Sequence, residues 1–176
     1  MSNVVFCGAR EKFDNNYLKN FLYIHKESKS QASFVFYNSS LGREDIAGFL
    51  GDKYTVVDNL DPQGTCQVMF LDEKTPIAER LENVLKVRSK VFNTQNIYVV
   101  IEKPEDFRIE NLEKLMTIAR SRNIYFVLVV EDKEAFKKTY TPEGVISIVA
   151  NCEYTCHWFA IEQKFIDDPK HYNPFE

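Results

Sequence analysis

Short, almost wholly apolar runs alternate along this chain with longer stretches in which apolar residues recur every three or four positions. Val4-Val5-Phe6-Cys7, closed by Gly8, has the continuous character of a strand buried on both faces. Behind the N-cap formers Asp14 and Asn15, residues Tyr17, Leu18, Phe21, Leu22 and Ile24 fall mostly at helical spacings and predict a helix with one apolar face. It fades into the polar stretch HKESKSQ. Residues 33–37 predict a second strand, and the turn Asn38-Ser39-Ser40 leads to a short helix over 43–50 that Gly51 ends.

The alternation continues to the far end. Residues 54–57 predict a third strand, and 67–71 either a strand or a buried crossing. Thr75-Pro76 has the form of an N-cap followed by a first-turn proline, with Ile77, Leu81, Val84, Leu85, Val87 and Val91 carrying a helix to about Phe92. Then come the strand 97–101, a helix over 109–122, the strand 125–130, helices over 132–140 and 142–150, and a strand over 154–160. Near-continuous apolar strands separated by helices predict a mostly parallel sheet covered on both faces, a three-layer α/β domain. One domain over 1–166 and a loose, proline-containing tail over 167–176 are expected.

Composition narrows the function classes. A formal net charge of -4 gives no general attraction to nucleic-acid phosphate. Neither a signal peptide nor a membrane-length apolar stretch is evident, so a soluble, cytoplasmic protein without membrane insertion is expected. The four cysteines, Cys7, Cys66, Cys152 and Cys156, are then expected as reduced thiols.

In an open parallel sheet, chemistry belongs past the carboxyl ends of the strands. After the first strand, GAREKFDN can be laid on the phosphate-loop spacing from Gly8, and the match fails beyond that residue. Phe13 stands where the second glycine belongs, Asp14 where the lysine belongs, and Asn15 where the magnesium-binding hydroxyl belongs. A carboxylate at ~4 Å from a phosphate repels it by roughly 4 kcal/mol at an effective dielectric of 20. An ordinary capped β-α turn accounts for the same residues. The strand 97–101 ends in Glu102-Lys103, where only one acid remains of the acidic pair that would hold magnesium and polarise water. Cys152, Cys156 and His157 lack a second ligand pair at zinc spacing, so no metal or other cofactor is expected. No nucleophile-base pair stands out. Arg120-Ser121-Arg122, with Lys114 a turn or two earlier, forms a small basic cluster at a helix end, and Lys137-Lys138 adds a second.

The order of these pieces resembles the coupling-protein ATPases of conjugation and type IV secretion, the TraG/TraD family. The similarity is carried by Leu112-Glu113-Lys114, Ala119-Arg120-Ser121-Arg122, Phe136-Lys137-Lys138-Thr139-Tyr140 and Asn151-Cys152, with NVVFCGA resembling the strand into that family's Walker A loop. The resemblance implies a RecA-like, P-loop NTPase-like fold lacking the family's membrane segment and all-α insertion. It also implies altered functional positions: Asp14 for lysine, Asn15 for threonine, Glu102-Lys103 for the acidic pair, and Glu131 for the sensor glutamine. The resulting expectation is a pseudo-ATPase, not an enzyme, that acts as a protein-binding accessory factor. Its expected partner is a coupling ATPase, a relaxosome component or a secretion component. Two rivals are an enzyme with magnesium on Glu102 and Glu131, and a weak single-stranded DNA binder using Arg120, Arg122, Lys137 and Lys138.

Overall fold

The computed structural model describes residues 3–7, 16–27, 31–39, 41–72, 74–90, 95–159 and 164–168. Eight strands lie in one sheet: β1 (Asn3–Cys7), β2 (Ser33–Tyr37), β3 (Thr55–Val56), β4 (Gln67–Leu71), β5 (Ile97–Glu102), β6 (Ile124–Val130), β7 (Cys152–Phe159) and β8 (Lys164–Asp168). Six helices connect them: α1 (Asn16–Glu27), α2 (Arg43–Leu50), α3 (Ile77–Arg88), α4 (Leu112–Arg120), α5 (Lys133–Tyr140) and α6 (Pro142–Ala150). The strand order is β3-β4-β2-β5-β6-β1-β7-β8, and every neighbouring pair is parallel except β7 with β8.

Alternation within the strands explains why they read as unbroken apolar runs. Val35, Tyr37, Val99, Ile101, Phe126, Leu128 and Val130 point to one face, where α3, α4, α5 and α6 cover them. Phe34, Phe36, Tyr98, Val100, Tyr125, Val127 and Val129 point to the other, under Leu22 of α1 and Ile46 and Leu50 of α2. Both faces need apolar residues, so no polar position marks the period of two. The second face is strongly aromatic: Phe34 stacks on Phe36 and Tyr98, and Phe21 meets Tyr98 edge-on with centroids 5.2 Å apart.

Several predicted details shift. Residues 67–71 form a true strand, between β3 and β2. Among the described side chains of α1 the buried ones are Leu22 and His25, while Ile24 is 65% exposed, because tertiary packing turns the helix so that a histidine takes the inner position. The edge of His25 packs among Phe21 and Phe34, and burial together with the charge of Lys53 lowers its pKa from 6.5. Pro76, not Thr75, sits at the cap of α3; the Thr75 hydroxyl donates instead to Asp72. α3 ends at Arg88, and Val91 and Phe92 lie outside the described residues. α4 starts at Leu112 because Asn111 adopts a left-handed conformation, with φ 54°. β8 runs to Asp168, so sheet pairing reaches into the segment expected as a tail.

Two buried polar side chains tie the strand beginnings together. Asn3, wholly buried, donates from Nδ2 to the Asn151 carbonyl at 3.0 Å and accepts the Phe126 N–H at 2.7 Å, joining β1 to both of its neighbours. Arg88 donates to the carbonyls of Pro62, Gln95 and Arg122, gathering the loops that precede β4, β5 and β6. Removing the Asn3 amide orphans a buried donor and a buried acceptor. Asn3→Ala is expected to lower stability by about 2–3 kcal/mol, measured by urea unfolding, with Asn3→Asp no better because the Asn151 carbonyl then faces an anion.

Candidate functional site

The carboxyl ends of β2, β5, β6 and β1 converge on a group of polar side chains. Glu102, the last residue of β5, is 3% exposed, and its Oε1 accepts a hydrogen bond from the Ser39 hydroxyl at 2.8 Å. Asn38, at φ 55° just past β2, donates from Nδ2 to the Glu102 carbonyl at 3.4 Å. The next residue, Lys103, takes a left-handed conformation (φ 52°, ψ 52°), which costs a non-glycine residue about 1–2 kcal/mol. That turn points its backbone N–H at the Val129 carbonyl of β6, 2.9 Å away. Its ammonium lies 3.5 Å from Oε1 of Glu131, which follows β6. Glu102 and Glu131 thus stand at adjacent strand ends, as predicted, but the intervening Lys103 is paired to Glu131. A lysine between the two carboxylates repels a divalent cation, and among the described residues no group of three or more His, Cys, Asp or Glu side chains is placed to hold a metal ion.

The residue that organises this edge is one that sequence patterning missed. Glu105 sits in the short 3₁₀ helix Pro104–Asp106 and is 8% exposed. Its Oε1 accepts the N–H groups of both Glu131 and Asp132, at 2.7 and 2.8 Å. Thr139 of α5 donates to the Glu105 carbonyl, while the Tyr140 hydroxyl accepts the Ile109 N–H and donates to the Phe107 carbonyl. α5 therefore clasps the whole segment between β5 and α4. Asp132 caps α5 by accepting from Glu134 and Ala135, so the turn after β6 is held from both sides. The sequence signal available was an acid after a proline beside a strand end; its burial depends on α5, which lies a strand and a helix further on.

Burial raises the Glu105 carboxyl pKa above 4.5, opposed by the N–H groups of Asp132 and Glu131, with the nearby Asp106 adding to the rise. Burial also raises Cys7, at the end of β1, to about 11; Lys133 pulls it back, and Glu105 and Asp132 push it further up. Cys7 is therefore a neutral thiol near pH 7 and a poor nucleophile. Gly8, Phe13, Asp14 and Asn15, the degenerate phosphate-loop positions, lie outside the described residues.

The basic residues separate into two groups. Arg120 and Arg122 lie at the end of α4, on the amino edge of the sheet, whereas Lys137 and Lys138 lie on α5 near the carboxyl edge. Arg122 uses its guanidinium internally, donating to the carbonyls of Leu85 and Ile118. Lys137 pairs with Glu134 at 3.5 Å, Lys138 borders a cleft of about 630 Å³ shared with Asp132 and Glu134, and Lys114 is exposed on α4. The four cations proposed for DNA contact do not form one track.

A raised carboxyl pKa has a defined consequence for stability. The native state keeps the Glu105 proton to higher pH than the unfolded chain does, so its contribution to stability falls as pH rises from about 4.5 through the raised folded value, and is level above it. Glu105→Gln keeps an acceptor oxygen for the two N–H groups and cannot ionise; it is expected to flatten that part of the stability-pH profile in thermal unfolding. Glu105→Ala should instead cost about 2–3 kcal/mol at neutral pH, since two donors lose their acceptor.

Residues 102–167 match a family model described as the TraM recognition site of TraD and TraG. This stretch runs from the end of β5 through α4, β6, α5, α6, β7 and most of β8. No curated protein sequence matches the chain. Among solved structures, the genome packaging NTPase B204 from Sulfolobus turreted icosahedral virus 2 in complex with AMP is similar, with a TM-score of 0.61 and 14% identity over 90% of this chain and 75% of that one. The same NTPase in complex with AMPPCP gives a TM-score of 0.56, again at 14% identity, over 90% and 76% of the two chains. At such identity the likeness establishes the fold, a P-loop NTPase-like α/β sheet. Among the described residues, no helix is long and apolar enough to cross a membrane.

Proposed function

With residues 102–167 a coupling-protein-like segment, we propose that this chain is a protein-binding module of a conjugative transfer or type IV secretion system, built on a P-loop-type sheet that does not hydrolyse nucleotide. The carrying observation is the Lys103–Glu131 ion pair at the ends of β5 and β6. Hydrolysis on such a sheet needs a carboxylate free to hold magnesium and a second group free to orient water. Here Lys103 and Glu131 neutralise each other, the Ser39 hydroxyl is bonded to Glu102, and Glu105 fixes the turn after β6. Asp14 and Asn15 in place of lysine and threonine support the same reading from the sequence. What is left for the fold to do is present surface. The matched segment supplies α4, α5 and α6, all on one face of the sheet, as the part that meets a partner.

Two measurements test the proposal. A ligand at a hundred times its Kd stabilises the native state by about 2.7 kcal/mol, which raises the midpoint of a domain this size by about 5–10 °C. Millimolar ATP with magnesium is expected to leave the melting midpoint in place. Purified TraM or a coupling ATPase is expected to be retained by the immobilised chain. A nucleotide shift of that size, or retention of neither protein, rejects the reading.

A further inference from the structure

Four cations, Arg88, Lys90, Arg120 and Arg122, stand at the amino edge of the sheet. α3 and α4 both end there, side by side: Arg88 donates to the Arg122 carbonyl at 3.2 Å, and Arg122 donates back to the Leu85 carbonyl at 3.0 Å. Lys90 follows Arg88 by two residues, and Arg120 precedes Arg122 by two; the Lys90 and Arg120 side chains are exposed. Cations near helix C-termini ordinarily answer the terminal carbonyls, and Arg88 and Arg122 do so. Lys90 and Arg120 do not: among the described residues neither side chain has a hydrogen bond or an ion pair. Arg120 lies close enough to Cys152 at the start of β7 to oppose the burial-driven rise of that thiol.

Arg88 gives independent evidence. It is 6% exposed, all its partners are carbonyl oxygens, and its Nη2 is buried without any acceptor. A buried cation is normally matched by a carboxylate, since an uncompensated one costs several kcal/mol. No described carboxylate pairs with Arg88, and burial lowers its pKa with no neighbouring charge offsetting the effect. Its field is therefore unscreened by an internal anion and adds to that of Lys90 and Arg120 at the surface above.

We propose that the amino edge, with Lys90 and Arg120 at the surface, Arg122 between them and Arg88 beneath, is a docking surface for an acidic segment of a protein partner. The proposal rests on the protein-binding reading above and says where and through what chemistry it acts. An acidic peptide is favoured over single-stranded DNA for two reasons. Nucleic acid binds such sites by stacking bases on exposed aromatic rings, and the only exposed aromatic among the large apolar side chains described is Tyr23, on α1 across the sheet. Ile118, 46% exposed and one turn before Arg122, instead offers an aliphatic contact beside the charges.

The full chain, titrated with a fluorescein-labelled peptide of alternating Glu and Leu, is expected to show saturable anisotropy that weakens as salt is raised several-fold. The double variant Lys90→Glu, Arg120→Glu should bind about tenfold or more weakly, whereas Lys74→Glu, at the carboxyl edge, should bind as the parent does. Among the described residues neither substituted side chain of the double variant makes a hydrogen bond or ion pair, so its melting midpoint should be unchanged; if it falls, Lys90→Gln, Arg120→Gln provides the same comparison with half the charge change. No salt-dependent binding, an unchanged affinity in the double variant, or a tighter complex with oligothymidylate than with the peptide overturns the proposal. TraM retained equally by parent and double variant also overturns it while leaving the protein-binding reading standing. Neither TraM nor a coupling ATPase retained by the parent removes that reading itself.

Discussion

Backbone groups left over at the ends of a sheet covered on both faces have little access to water, and three buried polar side chains take them up. Asn3 serves the beginnings of β1, β6 and β7, Arg88 the loops entering β4, β5 and β6, and Glu105 the turn leaving β6. Each makes at least one bond to a residue 26 or more positions away, so none is fully satisfied until the strands are in register. A buried polar group with no partner is costly, and that cost penalises every alternative pairing of these strands. The apolar runs drive collapse with little directional preference; the three polar anchors select one arrangement from among the collapsed ones.

This division of labour also explains what the sequence disclosed. Runs such as IYVVI and YFVLVV are legible because a parallel sheet buried on both faces needs every residue to be apolar, whatever its neighbours are. The helices α4 and α5 were legible from periodicity, and Asp132 from its place before a helix. Glu105, Asn3 and Arg88 were not, because a polar residue in a surface loop and one in a buried clasp look alike until the elements packed over them are known. His25 was hidden for a related reason: it occupies the inner face of α1 among aromatic rings, while Ile24 faces outward against the usual preference. At the carboxyl edge the positions of Glu102, Lys103 and Glu131 could be inferred from strand ends, but their pairing could not. Lys103 reaches Glu131 only because a left-handed turn redirects the chain after β5.

The two edges of the sheet are opposite in character, and the difference bears on function. At the carboxyl edge Glu102, Lys103, Glu131 and Glu105 are used internally: a serine bonded to one acid, a lysine paired with another, and two backbone donors on a third. The amino edge holds two cations, Lys90 and Arg120, with no ion pair among the described residues, together with a buried guanidinium that no described carboxylate answers. In a chain whose net charge is -4, gathering cations there requires the acids to be placed elsewhere, and several of them are spent at the carboxyl edge. Among the described residues, internal pairing at one edge and unpaired cations at the other are thus parts of one charge distribution across the same sheet.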